Sequence, residues 1–302
     1  MSLSELARLL ELDYLGQGAT LLTGACSLEW PRASCLTFIE KVAQLRLQPG
    51  AVAALVASES PGEGWNVLLS DNPRLAFARA LELLYPPELP LAGVHPSARV
   101  AEGVRVDPQA SIGPLCVVGP GVHLEAGVHL VARVSLGPNC SIGRNSRLEP
   151  GVSLGEACQV GENCWIEPLA QLADNTVVEP DVYIGARCRL EGCHVGRGSK
   201  LDNLVFVGRN TRLGRGVLLI SQSLVEADCR LGDYSLVAAQ AVVARGVEIG
   251  AQVQVAGRCW VDRSFPEPGQ ALAGEPAVDY AQEMKARALR ARALASYRAR
   301  GI

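Results

Sequence analysis

Residues 95–130 read HPSARV AEGVRV DPQASI GPLCVV GPGVHL EAGVHL when cut into sixes, and that cut decides the fold. Sixteen hexads run from His95 to Leu190, a five-residue piece EGCHV follows (191–195), and eleven more hexads run from Gly196 to Val261. Every piece ends in Val, Ile or Leu. Two positions earlier stands a small or β-branched residue, as at Ala98, Val104, Ala110, Ser146, Thr176, Thr211 and Ser235. Side chains at i−2 and i of a short strand point the same way, so both enter one narrow interior where a large aliphatic alternates with a small residue. After each aliphatic comes mostly Gly, Ala, Asp or Glu, which suits a corner, and Gly is expected there for its freedom to take unusual dihedrals. Three such faces make a coil of eighteen residues, and stacked coils bury a continuous core that one coil cannot.

The repeat also accounts for the cysteines. Of ten, Cys116, Cys140, Cys158, Cys164, Cys188, Cys193, Cys229 and Cys259 fall at the small interior position, where Cys serves as a compact hydrophobe. Only Cys26 and Cys35 lie outside, and no CxxC pair exists, so neither a metal nor a disulfide is expected.

Outward from the repeat, residues 1–90 form a small α/β domain. SELARLLE has the apolar spacing of a short helix with Ser4 as its N-cap, and NPRLAFARALELL (72–84) that of a second helix with Pro73 in its first turn. AVAALVA (51–57) and WNVLL (65–69) read as buried strands separated by a turn at Pro61-Gly62. Pro86, Pro87 and Pro90 read as a stiff link to the solenoid, assigned to 91–265. A Pro/Gly-rich exit and a helix follow in 266–302, the helix made basic by Lys285, Arg287, Arg290, Arg292, Arg298 and Arg300. It is either a solvated cap on the solenoid or a docking surface for an acidic partner.

Composition agrees with stacked repeats: 48% of residues are apolar but only 5% aromatic. A net charge of −3 argues against nucleic acid as a partner. Residues 1–12 lack a basic start, and no apolar stretch is long enough for a membrane span, so a cytoplasmic location without a transmembrane segment is expected.

Several strings together resemble the UDP-3-O-acylglucosamine N-acyltransferase family (LpxD) of lipid A synthesis: LLTGACSLE (21–29), LTF (36–38), DNPRLAFARALELL (71–84), GVHPSARV (93–100), LDN (201–203), EPG (267–269) and GEP (274–276). The resemblance implies a mainly β protein, a left-handed parallel β-helix with a small N-terminal α/β domain and a C-terminal helix. It implies a homotrimer with active sites between adjacent solenoids, acyl carrier protein as donor, a UDP-linked amino sugar as acceptor and no cofactor. The family's base is a histidine that takes the proton of the attacking amine. Its motif is Asp-Asn, five residues, His-Asn.

Here that stretch is DNLVFVGRN: Asp202, Asn203 and Asn210 are kept, and Arg209 stands in the histidine's place, where it cannot serve as a base but can grip a carboxylate or phosphate. By the resemblance, Asn203, Arg209 and Asn210 are the candidate catalytic residues. A second family histidine is replaced by Gly246 within ARGVEIG (244–250). Substrate binding falls to Asp202, Phe38 and Lys41, with Lys41 and Gln44 standing where the uracil site has Asn and Tyr. Trp260 lies near the position that sets acyl length, and Arg287, Arg290 and Arg292 would receive the acidic carrier protein. The loop the family inserts in mid-solenoid is absent; the slip at 191–195 takes its place.

Of the four histidines, His123, His129 and His194 precede a terminal aliphatic and should point outward, while His95 belongs to the junction. His123 and His129, one hexad apart, fall on different faces, which argues against a three-histidine zinc site. Two functions stay open: an N-acyltransferase, or a trimeric scaffold descended from one.

Overall fold

The computed structural model describes residues 1–85 and 92–299, apart from the side chains of Gln44 and 295–299. The proline link at Pro86, Pro87 and Pro90, and the side chains of Arg298 and Arg300, lie outside the described residues. The chain forms two compact units, Met1–Leu89 and Pro90–Ile302.

In the first unit, five strands take the order β1-β5-β4-β3-β2, with β1 (Tyr14–Leu15), β2 (Gly24–Ala25), β3 (Cys35–Phe38), β4 (Ala54–Ala57) and β5 (Val67–Leu69). Only β1 is antiparallel to its neighbour; the other pairings are parallel. The central strand β4 reads ALVA and is buried along its whole length, as a parallel strand covered on both faces must be. On one side Ala54 and Val56 pack with helix α1 (Leu3–Leu10) and helix α2 (Pro73–Leu84); on the other, Leu55 and Ala57 meet Trp65, Ile39 and Val52. Helix α1 is capped by Ser2, not by Ser4: the Ser2 hydroxyl accepts from the Glu5 N–H, and Glu5 closes a capping box. Asn72 caps α2, and Pro73 occupies its first turn.

The second unit is a parallel β-solenoid of three sheets. Their terminal strand pairs are Arg99–Val100 to Trp260–Val261 on the first face and Arg105–Val106 to Glu248–Ile249 on the second. The third face runs from Gly93–Val94 to Gln254–Val255, and Ala271–Ala273 and Val278–Asp279 extend it. Every hexad end from Val100 to Val261 is a strand. Neighbouring coils are offset by eighteen residues, as with Val117 opposite Ser135. Across the five-residue piece the offset falls to seventeen, with Val177 opposite His194, and the ladder continues unbroken to Arg212.

All eight repeat cysteines are buried and free. Several do more than fill space. Cys140 Sγ donates to the Gly155 carbonyl at 3.0 Å, Cys188 to Asp202 at 2.9 Å and Cys229 to Ala244 at 3.1 Å. Ser146, Ser199 and Thr211 do the same for Gly161, Gly214 and Glu226 at 2.7, 3.0 and 2.8 Å. The small interior position thus supplies a donor to the corner carbonyl of the next coil, which the strands leave unpaired.

The glycines after the aliphatics serve a different end from the one expected. Gly208 is not among the residues of positive φ; a Cβ there would lie 2.5 Å from the Ala227 nitrogen of the coil above. Close stacking selects glycine at that point. The left-handed residue falls two positions later and accepts Asn, Asp, Gln, Leu or Arg, as at Asn210 (φ 58°), Asp228 (φ 64°) and Leu204 (φ 61°).

The solenoid ends in helix α3 (Tyr280–Ala299). Among the described residues, no helix is long and apolar enough to cross a membrane.

Candidate functional site

The motif DNLVFVGRN is spread over two corners of one coil. Asp202 and Asn203 sit where the third face turns into the first, and Arg209 and Asn210 where the first turns into the second; Phe206, on the strand Phe206–Val207, separates them. Asp202 is held from three sides: its Oδ1 accepts from the Asn203 backbone N–H at 2.8 Å and Nδ2 at 2.9 Å, and its Oδ2 from the Ser221 hydroxyl at 2.5 Å. The Ser221 hydroxyl first, then the Asn203 N–H, hold its carboxyl below the ordinary value. Asn203 Oδ1 accepts from the Ala186 N–H at 2.9 Å. Both residues therefore tie consecutive coils together.

Asn210 has a plain role in the corner. It occupies a left-handed position in a stack with Gly192, Asp228 and Gly246, and its Nδ2 donates to Asp228 Oδ1 at 3.1 Å. The place of the second family histidine, Gly246, is in that same stack, two coils above. Arg209 is exposed, and among the described residues its guanidinium makes no hydrogen bond or ion pair. Its charge nonetheless contributes to holding the Asp228 carboxyl low, after hydrogen bonds from Asn210 and Arg245.

Trp260 stands 45% exposed at the end of an outward column on the first face, in register above Val242, Leu224 and Phe206. That column is apolar for four successive coils. The sequence marked only its last member.

The basic helix is partly neutralised. Glu283 is only 7% exposed and faces Arg287 at 2.9 Å and Arg290 at 3.8 Å. These groups line a cavity of about 510 Å³ with Arg258, Glu275, Gly257 and Gly274. Arg292 is exposed and has no such partner among the described residues.

In the N-terminal unit, the Phe38 and Phe77 rings lie 5.0 Å apart, tilted by 35°, and line a cavity of about 640 Å³. Arg74 and Glu40, paired at 3.1 Å, lie at its edge. Lys41 is exposed and is not part of this lining; Gln44's side chain lies outside the described residues. Glu29 adds a second carboxylate to the lining, and the mostly apolar walls with this charged edge suit a flat, polar-edged group. Sequence reasoning found Phe38 but not Phe77, which α2 brings from 39 positions away.

The four histidines differ sharply in surroundings. His95 Nδ1 meets the Ser97 hydroxyl at 2.9 Å within its own turn. His129 Nδ1 faces Arg147 at 3.2 Å, and burial, then that arginine, pushes its pKa down. His194 Nε2 lies 3.2 Å from Glu179 Oε1. His123 and His129 stand on the second and third faces.

Residues 157–192 match the family model for the bacterial transferase hexapeptide, and residues 133–167 match that for the hexapeptide repeat of succinyl-transferase. A UDP-3-O-acylglucosamine N-acyltransferase of Pseudomonas entomophila is 36% identical over 117 residues, 38% of this chain and 33% of the relative. One from Synechococcus is 40% identical over 114 residues, 34% of this chain and 33% of the relative. The chain thus spans about a third of the length of the curated relatives it matches. Among solved structures, a Francisella novicida UDP-N-acetylglucosamine acyltransferase aligns at a TM-score of 0.43 and 19% identity, over 65% of this chain and 73% of that one. The family suggested by the sequence strings is the one these curated relatives carry.

Proposed function

From a chain that is a divergent relative of the UDP-3-O-acylglucosamine N-acyltransferases, we propose an acyltransferase that moves an acyl chain from acyl carrier protein to the amine of a UDP-linked amino sugar in lipid A-type synthesis. In this reading it acts in the cytoplasm as a homotrimer, and Arg287, Arg290 and Arg292 receive the carrier protein. The observation that carries it is the Phe38–Phe77 cavity, an aromatic-walled space of a size for a nucleobase and ribose that a bare scaffold has no use for. The solenoid supplies the rest: an apolar column from Phe206 to Trp260 along which an acyl chain can lie, and Asp202 and Asn203 fixed at the corner beside it. Arg209 then serves as an anion grip rather than a base, its fork suited to phosphate.

Titration of the protein with UDP tests the acceptor side. Binding in the micromolar to millimolar range, weakened at least tenfold by Phe38→Ala, is expected. No heat or shift with UDP in the unaltered protein sinks the nucleotide-sugar acceptor.

One observation favours a scaffold instead: at the family's base position the side chain is an exposed arginine, which cannot accept a proton. Loss of acyl transfer together with a retained trimer would favour that second reading.

A further inference from the structure

We infer that His194 is the general base of this chain, oriented by Glu179 and set beside an anion anchor at Arg212. The assignment rests on the acyl-transfer reading above and deepens it.

Among the four histidines only His194 has a carboxylate within ion-pair distance; at His129 the nearby Glu149 is paired to Arg147 instead. His194 stands on the second face, two positions after the left-handed Gly192 of the shortened piece, so it begins the face just past the corner that Arg209 occupies one coil above. The two turns are tied: Asn210 N–H donates to the Gly192 carbonyl at 3.1 Å. The base has thus moved from the corner to the adjoining face and down one coil, where the chain omits one residue.

Glu179 is well placed to orient it. The residue follows the strand Val177–Val178, and Val177 lies beneath His194 in the ladder. Its Oε2 accepts the Arg197 N–H at 2.8 Å, which fixes the carboxylate, while Oε1 faces Nε2 at 3.2 Å. A carboxylate on Nε2 selects the tautomer protonated there and leaves the Nδ1 lone pair free to take a proton. The ring is about a third exposed, so a substrate can reach it.

Directly above His194 in the ladder is Arg212, and above that Arg230. Neighbouring strands lie about 5 Å apart, so a group held by Arg212 is delivered to the imidazole. Among the described residues neither arginine has a carboxylate partner, whereas the nearby Arg197 and Arg215 are paired to Asp181 and Asp233. An acceptor bearing a phosphate fits that free charge.

The step balances. The neutral amine of the acceptor attacks the thioester carbon, and a C–N bond forms. Nδ1 of His194 takes the proton the nitrogen sheds. The C–S bond breaks, and the imidazolium returns that proton to the departing thiolate, giving an amide and a free thiol.

The test uses the full-length protein with acyl-acyl carrier protein and a UDP-linked amino sugar, with amide formation read by mass spectrometry. His194→Gln should lower kcat by about 10²–10⁴-fold at little changed KM. Imidazole in solution should restore part of the rate to His194→Gly. Glu179→Gln should lower kcat rather than raise KM, and Glu179→Asp should recover part of it. His123→Gln, four coils below on the same face, should leave the rate unchanged. Activity of His194→Gln within about twofold of the unaltered protein, or a loss carried wholly by KM, overturns the base while acyl transfer stands. No product from the unaltered protein overturns both.

Discussion

Ser221 donates its hydroxyl to Asp202 Oδ2 at 2.5 Å, tying one coil to the coil beneath it. The Asp202 carboxyl is held below its ordinary value by that bond and by the Asn203 N–H. A depressed folded-state pKa contributes stability that is present above the unfolded value, about 3.9, and is lost as the pH falls through the folded one. Asp202→Asn is therefore expected to lower stability modestly at neutral pH, the effect reduced by the carboxylate's exposure to solvent, and the gap to close in acid. Thermal melts of both proteins at pH 7 and pH 3 check this; an equal gap at both contradicts it.

Gly208→Ala should destabilise the solenoid more than its size suggests. The new methyl would sit 2.5 Å from the Ala227 nitrogen and 2.7 Å from the Glu226 carbonyl carbon, both backbone atoms. Neither can turn aside, so the coils must part locally at a cost of about 2 kcal/mol or more. Gly246→Ala gives a useful contrast: nothing lies near its Cβ, but its φ is 74°. It should cost about 1 kcal/mol, from backbone strain alone. Urea midpoints of the two variants decide the order.

Ser235 is wholly buried, and its hydroxyl has no partner among the described residues, unlike Ser146 and Ser199 at the equivalent place. Ser235→Ala should stabilise by about 1 kcal/mol, while Ser146→Ala, which removes a made bond, should destabilise by a similar amount. Chemical denaturation of both checks the opposite signs.

Three of the interior thiols should be inert. Burial pushes Cys188 and Cys259 up to about 11 and Cys193 up to about 12, so almost no thiolate exists near neutrality. A thiol reagent at pH 7.5 is expected to leave all three unmodified in the native protein and to reach them after denaturation, as peptide mass mapping reads. Rapid labelling of any of them in the native state contradicts a closed core.

Carrier docking predicts an uneven helix. Arg287 and Arg290 share the buried Glu283, whereas Arg292 is exposed without such a partner. Arg292→Glu should raise KM for acyl carrier protein, with an effect that shrinks as salt rises. A KM that is unchanged at low salt removes the helix from the docking surface.

The hexad endings made the solenoid legible, because one interior admits only one alternation of large and small side chains. The same rule turned eight cysteines into core residues. What stayed hidden depended on the neighbouring coil. Glycine at 208 answers to a backbone atom nineteen positions on, not to its own dihedral. The cap of the first helix went to Ser2 rather than Ser4 because Glu5 reaches back to it. At the site, Asp202, Asn203 and Asn210 stood out by resemblance, yet the fold sends them to two corners and gives each a part in holding coils together. The pairing of His194 with Glu179 spans fifteen residues, set by a corner and a one-residue slip that no local pattern announces.

The most direct measurement is a single-turnover reaction of the purified protein in excess with acyl-acyl carrier protein and UDP-3-O-acylglucosamine, followed by intact mass of both products. One new amide on the sugar for each thiol released on the carrier is the predicted result. Carrier thioester left intact beside unaltered sugar, while the protein remains folded, would contradict acyl transfer and leave the scaffold in its place.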